Sequence, residues 1–441
     1  MDGHFEDILG AKLADALTAD VPALTRREVR LPRVAGKALS VIGMRRSGKS
    51  CFLWQCLADL LAAGTPREAL VLLNLEDDRL AGMDASALTW LLEEYYRLHP
   101  ALRDRREVVF FLDEVQQVAG WEAFVRRAMD SEKMRFFLSG SSAAMLSREV
   151  ATSMRGRAME VPVYPFSFRE FLAHHGSLPD REWERLPKAT RSELEARLRE
   201  YLSVGGFPEA QRIEERDRRA LLQGYVDVVI LRDVIERHQV SNPVALRWLQ
   251  RHLMANAAGV FSIQKFHDSL KSQGIPVAKD SLHAFLGHLE DAFLIHTTSL
   301  LSASERQRMV NPRKAYPIDP GLIPIYERTG RANLGRALET AVLIELLRRG
   351  CDVHHVRVPD AGEIDFHATD AQGGSMLVQV CASAAREVVR DRELRPLDAA
   401  RSSFRGTRRV LVLLDVAAPL PPPPAGVEIV PAVQWFLDTP H

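Results

Sequence analysis

The chain is 441 residues long, more than one hydrophobic core ordinarily organises, so about three domains of ~150 residues are expected. Its 46% hydrophobic and 26% charged residues exclude wholesale disorder, and 58 basic against 58 acidic side chains give no nucleic-acid, membrane or acidic partner from net charge. The cysteines Cys51, Cys56, Cys351 and Cys381 lack CxxC spacing, the N-terminal stretch lacks a signal-peptide core, and no run reaches the ~18 apolar residues of a membrane span, so a cytoplasmic chain without a membrane partner is expected.

From Lys37 to about Ala173, short apolar runs alternate with helical periodicity: ALSVIG, ALVLLNL, VVFFLDE and MRFFLSG read as buried parallel strands with helices between them. A charged helical region follows from Glu182 to about Gln239, interrupted by the turn-forming VGGFP at Val204 to Pro208, and reads as a small helical lid. Between Asn242 and Leu301 the segments VALRWLQRHLMANAAG, SIQKFHDSLKSQG and AKDSLHAFLGHLEDAFLIH predict three helices ending in an extended IHTTSLL, the pattern of a winged helix. The last segment begins at AYPIDPGL and continues with the helix LGRALETAVLIELLRRG and strands at DVHHVRV, EIDFHAT, MLVQV and RVLVLLDV; PLPPPP can only be a loop before a terminal helix. The expected boundaries are 1–175, 176–240, 241–314 and 315–441.

GMRRSGKS, from Gly43 to Ser50, is a Walker A pattern. Its glycines let successive backbone N–H groups face phosphate oxygens, Lys49 reaches the β and γ phosphates, and the Ser50 hydroxyl serves Mg²⁺. Apolar ALSVI precedes the loop and the amphipathic CFLWQCLADLL follows it, as such a loop requires. Gly43, Arg45, Arg46, Ser47, Gly48, Lys49, Ser50 and Cys51 are therefore the expected ATP-binding residues. VVFFLDE ends a buried strand on Asp113 and Glu114, a Walker B pattern in which Asp113 supports Mg²⁺ and Glu114 orients or deprotonates the attacking water. Ser139, Ser141 and Ser142 end the next strand as candidate γ-phosphate sensors, with Ser141 preferred. Arg155 and Arg157 are candidates for a finger donated to a neighbouring subunit's ATP.

These blocks, with FLDEVQQVAGWEAFVRR, FLSGSSAAML, MRGR before YPFSFREF, YLSVGGFPEA and KAYPIDPGL in this order, resemble bacterial and archaeal AAA ATPases that carry a C-terminal domain of unknown function. The resemblance implies an α/β protein, with a P-loop AAA core and helical lid followed by a winged-helix domain and a restriction-endonuclease-like domain. It also implies ring or partial-ring homo-oligomers, an approach of Pro208 to the nucleotide base, a trans role for Arg157 and a place for Arg27 near the adenine.

Residues from Gly335 to about Asp415 predict helix, three strands, helix and strand, the order of the restriction-endonuclease-like fold. Glu339, Asp365 and Glu363 occupy plausible acidic positions. Gln379 and Cys381, however, stand where Glu and Lys should be; Gln379 lacks the charge to hold a hard cation and Cys381 supplies no ammonium, so a degenerate nuclease site is expected. In the winged-helix region His283 and His288 are opposed by Asp280, Glu290 and Asp291, leaving Arg306, Arg308, Arg313 and Lys314 as the better basic patch. His354 and His355 point to opposite strand faces and cannot share one ion, and His174 and His175 read as ordinary histidines.

The leading expectation is an Mg²⁺-dependent oligomeric ATPase that remodels or moves DNA. A nucleotide-gated switch recruiting a protein partner and an ATP-regulated nuclease are the alternatives.

Overall fold

The computed structural model describes residues 3–140, 154, 156–302, 304, 312–327, 333–382, 389–415 and 422–438. The chain divides into two compact units, 1–163 and 164–441.

In the first unit helix α1 (Gly3–Thr18) precedes a β/α succession of β1 (Ala38–Ile42), α2 (Lys49–Ala62), β2 (Leu70–Asn74), α3 (Ala85–Leu98), β3 (Val108–Asp113), α4 (Trp121–Ser131), β4 (Met134–Ser139) and β5 (Ala158–Pro162). Every residue of β1 and β3 is buried, which explains why their sequences are continuous apolar runs rather than alternating ones. Among the described residues these strands form one sheet in the order β2-β3-β4-β1-β5, and every pairing is parallel. A parallel sheet gathers the C-terminal ends of its strands along one edge. Because β4 lies between β1 and β3, Ser139 stands between the P-loop and Asp113. Phe111 and Phe137 stack with centroids 4.7 Å apart and fasten β3 to β4 beneath that edge.

The second unit opens with α5 (Phe168–His174), started by a reciprocal cap: Ser167 Oγ accepts the Glu170 N–H at 3.1 Å, and the Glu170 carboxylate accepts the Ser167 N–H at 2.8 Å. Helices α6 (Lys188–Val204) and α7 (Glu215–Val228) follow, and α7 runs on into a π-helical stretch, Val229–Glu236. Next come α8 (Pro243–Ala255), β6 (Gly259–Phe261), α9 (Ile263–Ser272), α10 (Lys279–Asp291), β7 (Ile295–Thr298) and β8 (Arg313–Pro317). Strand β8 is central in a small antiparallel sheet between β6 and β7. The expected boundary at residue 314 falls inside this strand.

The C-terminal elements are α11 (Leu334–Arg348), β9 (Asp352–Val358), β10 (Gly362–Thr369), β11 (Ser375–Cys381), β12 (Arg408–Leu413), β13 (Val427–Pro431) and α12 (Ala432–Leu437). Their sheet has the order β13-β12-β11-β10-β9, antiparallel from β9 to β11 and parallel from β11 to β13. One core cluster joins Phe168, Leu198 and Leu202 of α5 and α6 to Leu338, Val342 and Leu346 of α11 and to Phe366, Val378 and Val410 of this sheet. Helices α5 and α6 and the C-terminal sheet therefore share buried apolar surface.

Candidate nucleotide site

Strand β1 runs directly into the loop Gly43–Gly48. Gly43 has φ +149°, and a Cβ there would lie 2.3 Å from the Val163 carbonyl oxygen, so only glycine fits where the chain after β5 presses on the loop. Gly48, at φ 99°, turns the chain into α2. Ser47 is buried, Ser50 and Cys51 are exposed, and Arg45 forms an ion pair with Glu76 at 3.8 Å. Arg46 is exposed and takes a left-handed backbone, φ 67°. Lys49 is 5% exposed and donates from Nζ to the Gly43 and Met44 carbonyls, both at 3.1 Å. The ammonium thus lies inside the loop, where a phosphate can replace neutral carbonyl acceptors.

Asp113 ends β3, buried. The Ser139 hydroxyl donates to Asp113 Oδ1, and the Glu114 N–H donates to Ser139 Oγ at 3.2 Å. Ser139 is therefore the described residue of its stretch that joins both Walker B positions; Ser141, Ser142 and Arg155 lie outside the described residues. Glu114 has φ 53°, a conformation uncommon for a residue with a side chain and often found at functional sites. Its carboxylate accepts from the Gln116 amide. Burial pushes the Glu114 carboxyl above its ordinary pKa, against the pull of the Lys49 ammonium. A carboxylate so poised is a better proton acceptor than an exposed one. Lys49, Asp113, Glu114 and Ser139 meet at one edge, whereas Arg157 is bonded to Asp130 and is partly exposed.

Arg27, expected near an adenine, is 4% exposed, and Nη1 donates to the Ser47 carbonyl at 2.9 Å. Pro208 belongs to the other compact unit, in the turn between α6 and α7. There Gly206 N–H donates to Asp319 at 2.7 Å and Gly321 N–H does so at 2.9 Å. A Cβ on Gly205 would lie 1.8 Å from the same carboxylate, so GGFP and PIDPG fit together only with glycine at 205. Burial pushes the Asp319 carboxyl up to about 7. Both blocks stand out in the sequence, but nothing local pairs them.

The acidic residues expected of a degenerate nuclease do converge. Asp365 sits at a register shift of β10, which re-aims it. It accepts from Lys314 Nζ at 3.1 Å and from the Val380 N–H at 3.0 Å. Glu339 of α11 accepts from Lys314 Nζ at 3.1 Å and from the Tyr316 hydroxyl at 2.9 Å. Gln379 accepts the Asp365 N–H at 3.2 Å and donates to Glu393 at 2.6 Å. Glu363 instead faces Arg357. Lys314 is not part of a solvent-facing basic patch, because it is 6% exposed between two carboxylates. The ammonium that Cys381 fails to provide is present, from β8, and it is already bound. Burial lowers the pKa of Lys314 and the two carboxylates more than reverse this; burial raises that of Glu339. The signal in the sequence is the alternation of Lys314 and Tyr316, which places both on one face of β8.

Arg313 pairs with Glu290 at 3.8 Å, and Arg306 and Arg308 lie outside the described residues. His354 and His355 contact Ser299 and Thr298 respectively. Among the described residues no group of histidine, cysteine and carboxylate side chains has the arrangement of a metal site, and no helix is long and apolar enough to cross a membrane.

Two family models match the chain: an AAA domain over residues 35–172 and a domain of unknown function, DUF8612, over residues 195–330. The second span contains both partners of the Gly206–Asp319 contact. The chain is 30% identical to the uncharacterized protein MJ1544 of Methanocaldococcus jannaschii over 401 residues, 90% of this chain and 85% of that one. It is 31% identical to an uncharacterized protein of Haemophilus influenzae over 332 residues, 75% of this chain and 79% of that one. Among solved structures, the Walker-type ATPase PABY2304 of Pyrococcus abyssi matches with a TM-score of 0.42 and 16% identity over 73% of this chain and 95% of that one.

Proposed function

The chain belongs to the AAA ATPases that carry a C-terminal domain of unknown function, and from that premise we propose that it is an Mg²⁺-dependent oligomer that couples ATP hydrolysis to binding and remodelling DNA. The convergence of Lys49, Asp113, Ser139 and Glu114 at one sheet edge carries the chemical part of this reading. Lys49 exchanges its carbonyl acceptors for phosphate oxygens. The donor set suits a hard cation, since the Ser50 hydroxyl is exposed at the start of α2 and the Asp113 carboxylate is held in place by Ser139. Bound there, Mg²⁺ would neutralise developing phosphate charge. Glu114 takes the proton of the attacking water, and Ser139 keeps Asp113 and the Glu114 backbone in register. Arg157 would act on the ATP of a neighbouring subunit, and Pro208 would meet the base.

In the same proposal residues 1–175 are the ATPase core, 176–240 the lid, 241–314 a winged helix and 315–441 a restriction-endonuclease-like domain. Three helices and the β6–β8–β7 sheet support the winged helix. The paired acidic cluster favours a C-terminal domain without nuclease chemistry, since its carboxylates already hold Lys314. That favours DNA contact or partner recruitment as the output, and a nucleotide-gated assembly switch is the second reading. ATPase rate and particle size, with and without duplex, single-stranded and branched DNA, separate the two. Stimulation by DNA is expected; an unchanged rate with ATP-dependent assembly would replace the DNA motor by the switch.

A further inference from the structure

We infer that Arg27 is a positioning residue for the ATPase, one that aims a P-loop amide at the phosphates by holding the opposite end of the same peptide plane. Arg27 lies outside both Walker motifs, in the stretch between α1 and β1, and is 4% exposed. Its Nη1 donates to the carbonyl oxygen of Ser47 at 2.9 Å. The Ser47–Gly48 peptide is trans, as all described peptide bonds are. In a planar trans peptide the C=O of Ser47 and the N–H of Gly48 point in opposite directions. A guanidinium that pins the carbonyl on one side of the loop therefore directs the Gly48 N–H to the other. Donation to the carbonyl also polarises the peptide and strengthens that N–H as a donor.

The arginine is itself held on both sides. Its backbone N–H donates to Gln55 Oε1 at 2.6 Å, and its carbonyl accepts from Gln55 Nε2 at 3.0 Å. Gln55 belongs to α2, the helix that begins at Lys49, so the brace and the phosphate lysine share one rigid element. Arg26 adds a two-pronged contact to Asp59 on the same helix, at 2.8 and 3.1 Å, and Val21, Val29 and Leu31 pack on the core beneath. This assignment differs from an adenine contact: the group Arg27 touches is the phosphate loop, so its effect should not depend on the base. It rests on the reading of Gly43–Ser50 as the phosphate cradle.

The test compares ATP with inorganic tripolyphosphate, which has phosphates and no base, by calorimetric titration of the full chain. Arg27→Gln should raise the dissociation constants of both ligands by the same factor, on the order of ten-fold for one lost charged hydrogen bond behind the loop. KM for ATP should rise with kcat at saturation little changed. Arg27→Lys, which keeps a charged donor of similar reach, should recover part of the affinity for both ligands. Asp59→Asn, which weakens the Arg26 anchor on α2, should lower both affinities by one common and smaller factor, and a loss for ATP alone would count against the brace. A loss confined to ATP would overturn the inference in favour of a base contact, as would no loss for either ligand. If Arg27→Gln does not fold, the same comparison is read on Arg27→Lys: equal partial losses support the brace, and a loss for ATP alone sinks it. A wild-type chain that binds neither ligand refutes the cradle reading itself.

Discussion

The two compact units each bury a lysine, and the two lysines are treated in opposite ways. Lys49 is 5% exposed and donates to the backbone carbonyls of Gly43 and Met44, whereas Lys314 is 6% exposed and lies between the carboxylates of Glu339 and Asp365. A buried ammonium is costly without compensation. In the first unit the acceptors are neutral and exchangeable, so a phosphate can displace them with a gain in charge pairing. In the second, removing the ammonium would leave two acidic groups facing each other, so the cluster holds structure together. Lysine burial alone therefore does not mark a catalytic site.

Substitutions at the two lysines break this comparison most sharply. Lys49→Ala should weaken ATP binding by about a hundredfold, read by titration, with a smaller change in melting temperature than at Lys314. Lys314→Met should do the reverse. Stability should fall by about 3–5 kcal/mol, as when one partner of a buried pair is removed, with ATP affinity retained. Adding Glu339→Gln to Lys314→Met should restore part of that loss, since it removes one of the two acidic groups left facing each other.

A smaller effect separates the buried carboxylates by pH. Asp319 has its folded pKa raised from 3.8 to about 7 by burial, so the folded chain holds that proton more tightly than the unfolded one. Its contribution is fully present below the unfolded value and is lost as pH rises through about 7. Asp319→Asn should flatten the decline of the denaturation midpoint across that window, and an unchanged slope would remove Asp319 from the account. The smallest stability effect belongs to Arg157→Ala. Its pair with Asp130 is partly exposed, so less than ~1 kcal/mol is expected. If the arginine serves a neighbouring subunit, ATP turnover should nevertheless fall in the assembled form; an unchanged rate would end that role.

The first unit was largely legible in the sequence because its signals are local. An apolar run, a glycine loop and an amphipathic helix specify one another, and VVFFLDE places Asp113 and Glu114 without reference to distant residues. The second unit depends on long-range pairings. Gly206 meets Asp319 and Lys314 meets Asp365 across stretches that no periodicity links, so the sequence alone leaves Lys314 beside Arg313 as an apparent basic patch. Among Ser139, Ser141 and Ser142, only Ser139 lies within the described residues, and its place in the site is likewise not local. Only the insertion of β4 between β1 and β3 brings it to Asp113. The resemblance points to Arg27, but its bond to the Ser47 carbonyl depends on how the stretch between α1 and β1 crosses α2.

Glu114 is the residue on which hydrolysis depends most directly. Turnover and bound nucleotide measured together on Glu114→Gln should show ATP retained while hydrolysis falls by about 10²–10⁴-fold, the range for losing a general base. A Gln variant that hydrolyses ATP at the wild-type rate would contradict the assignment of the site.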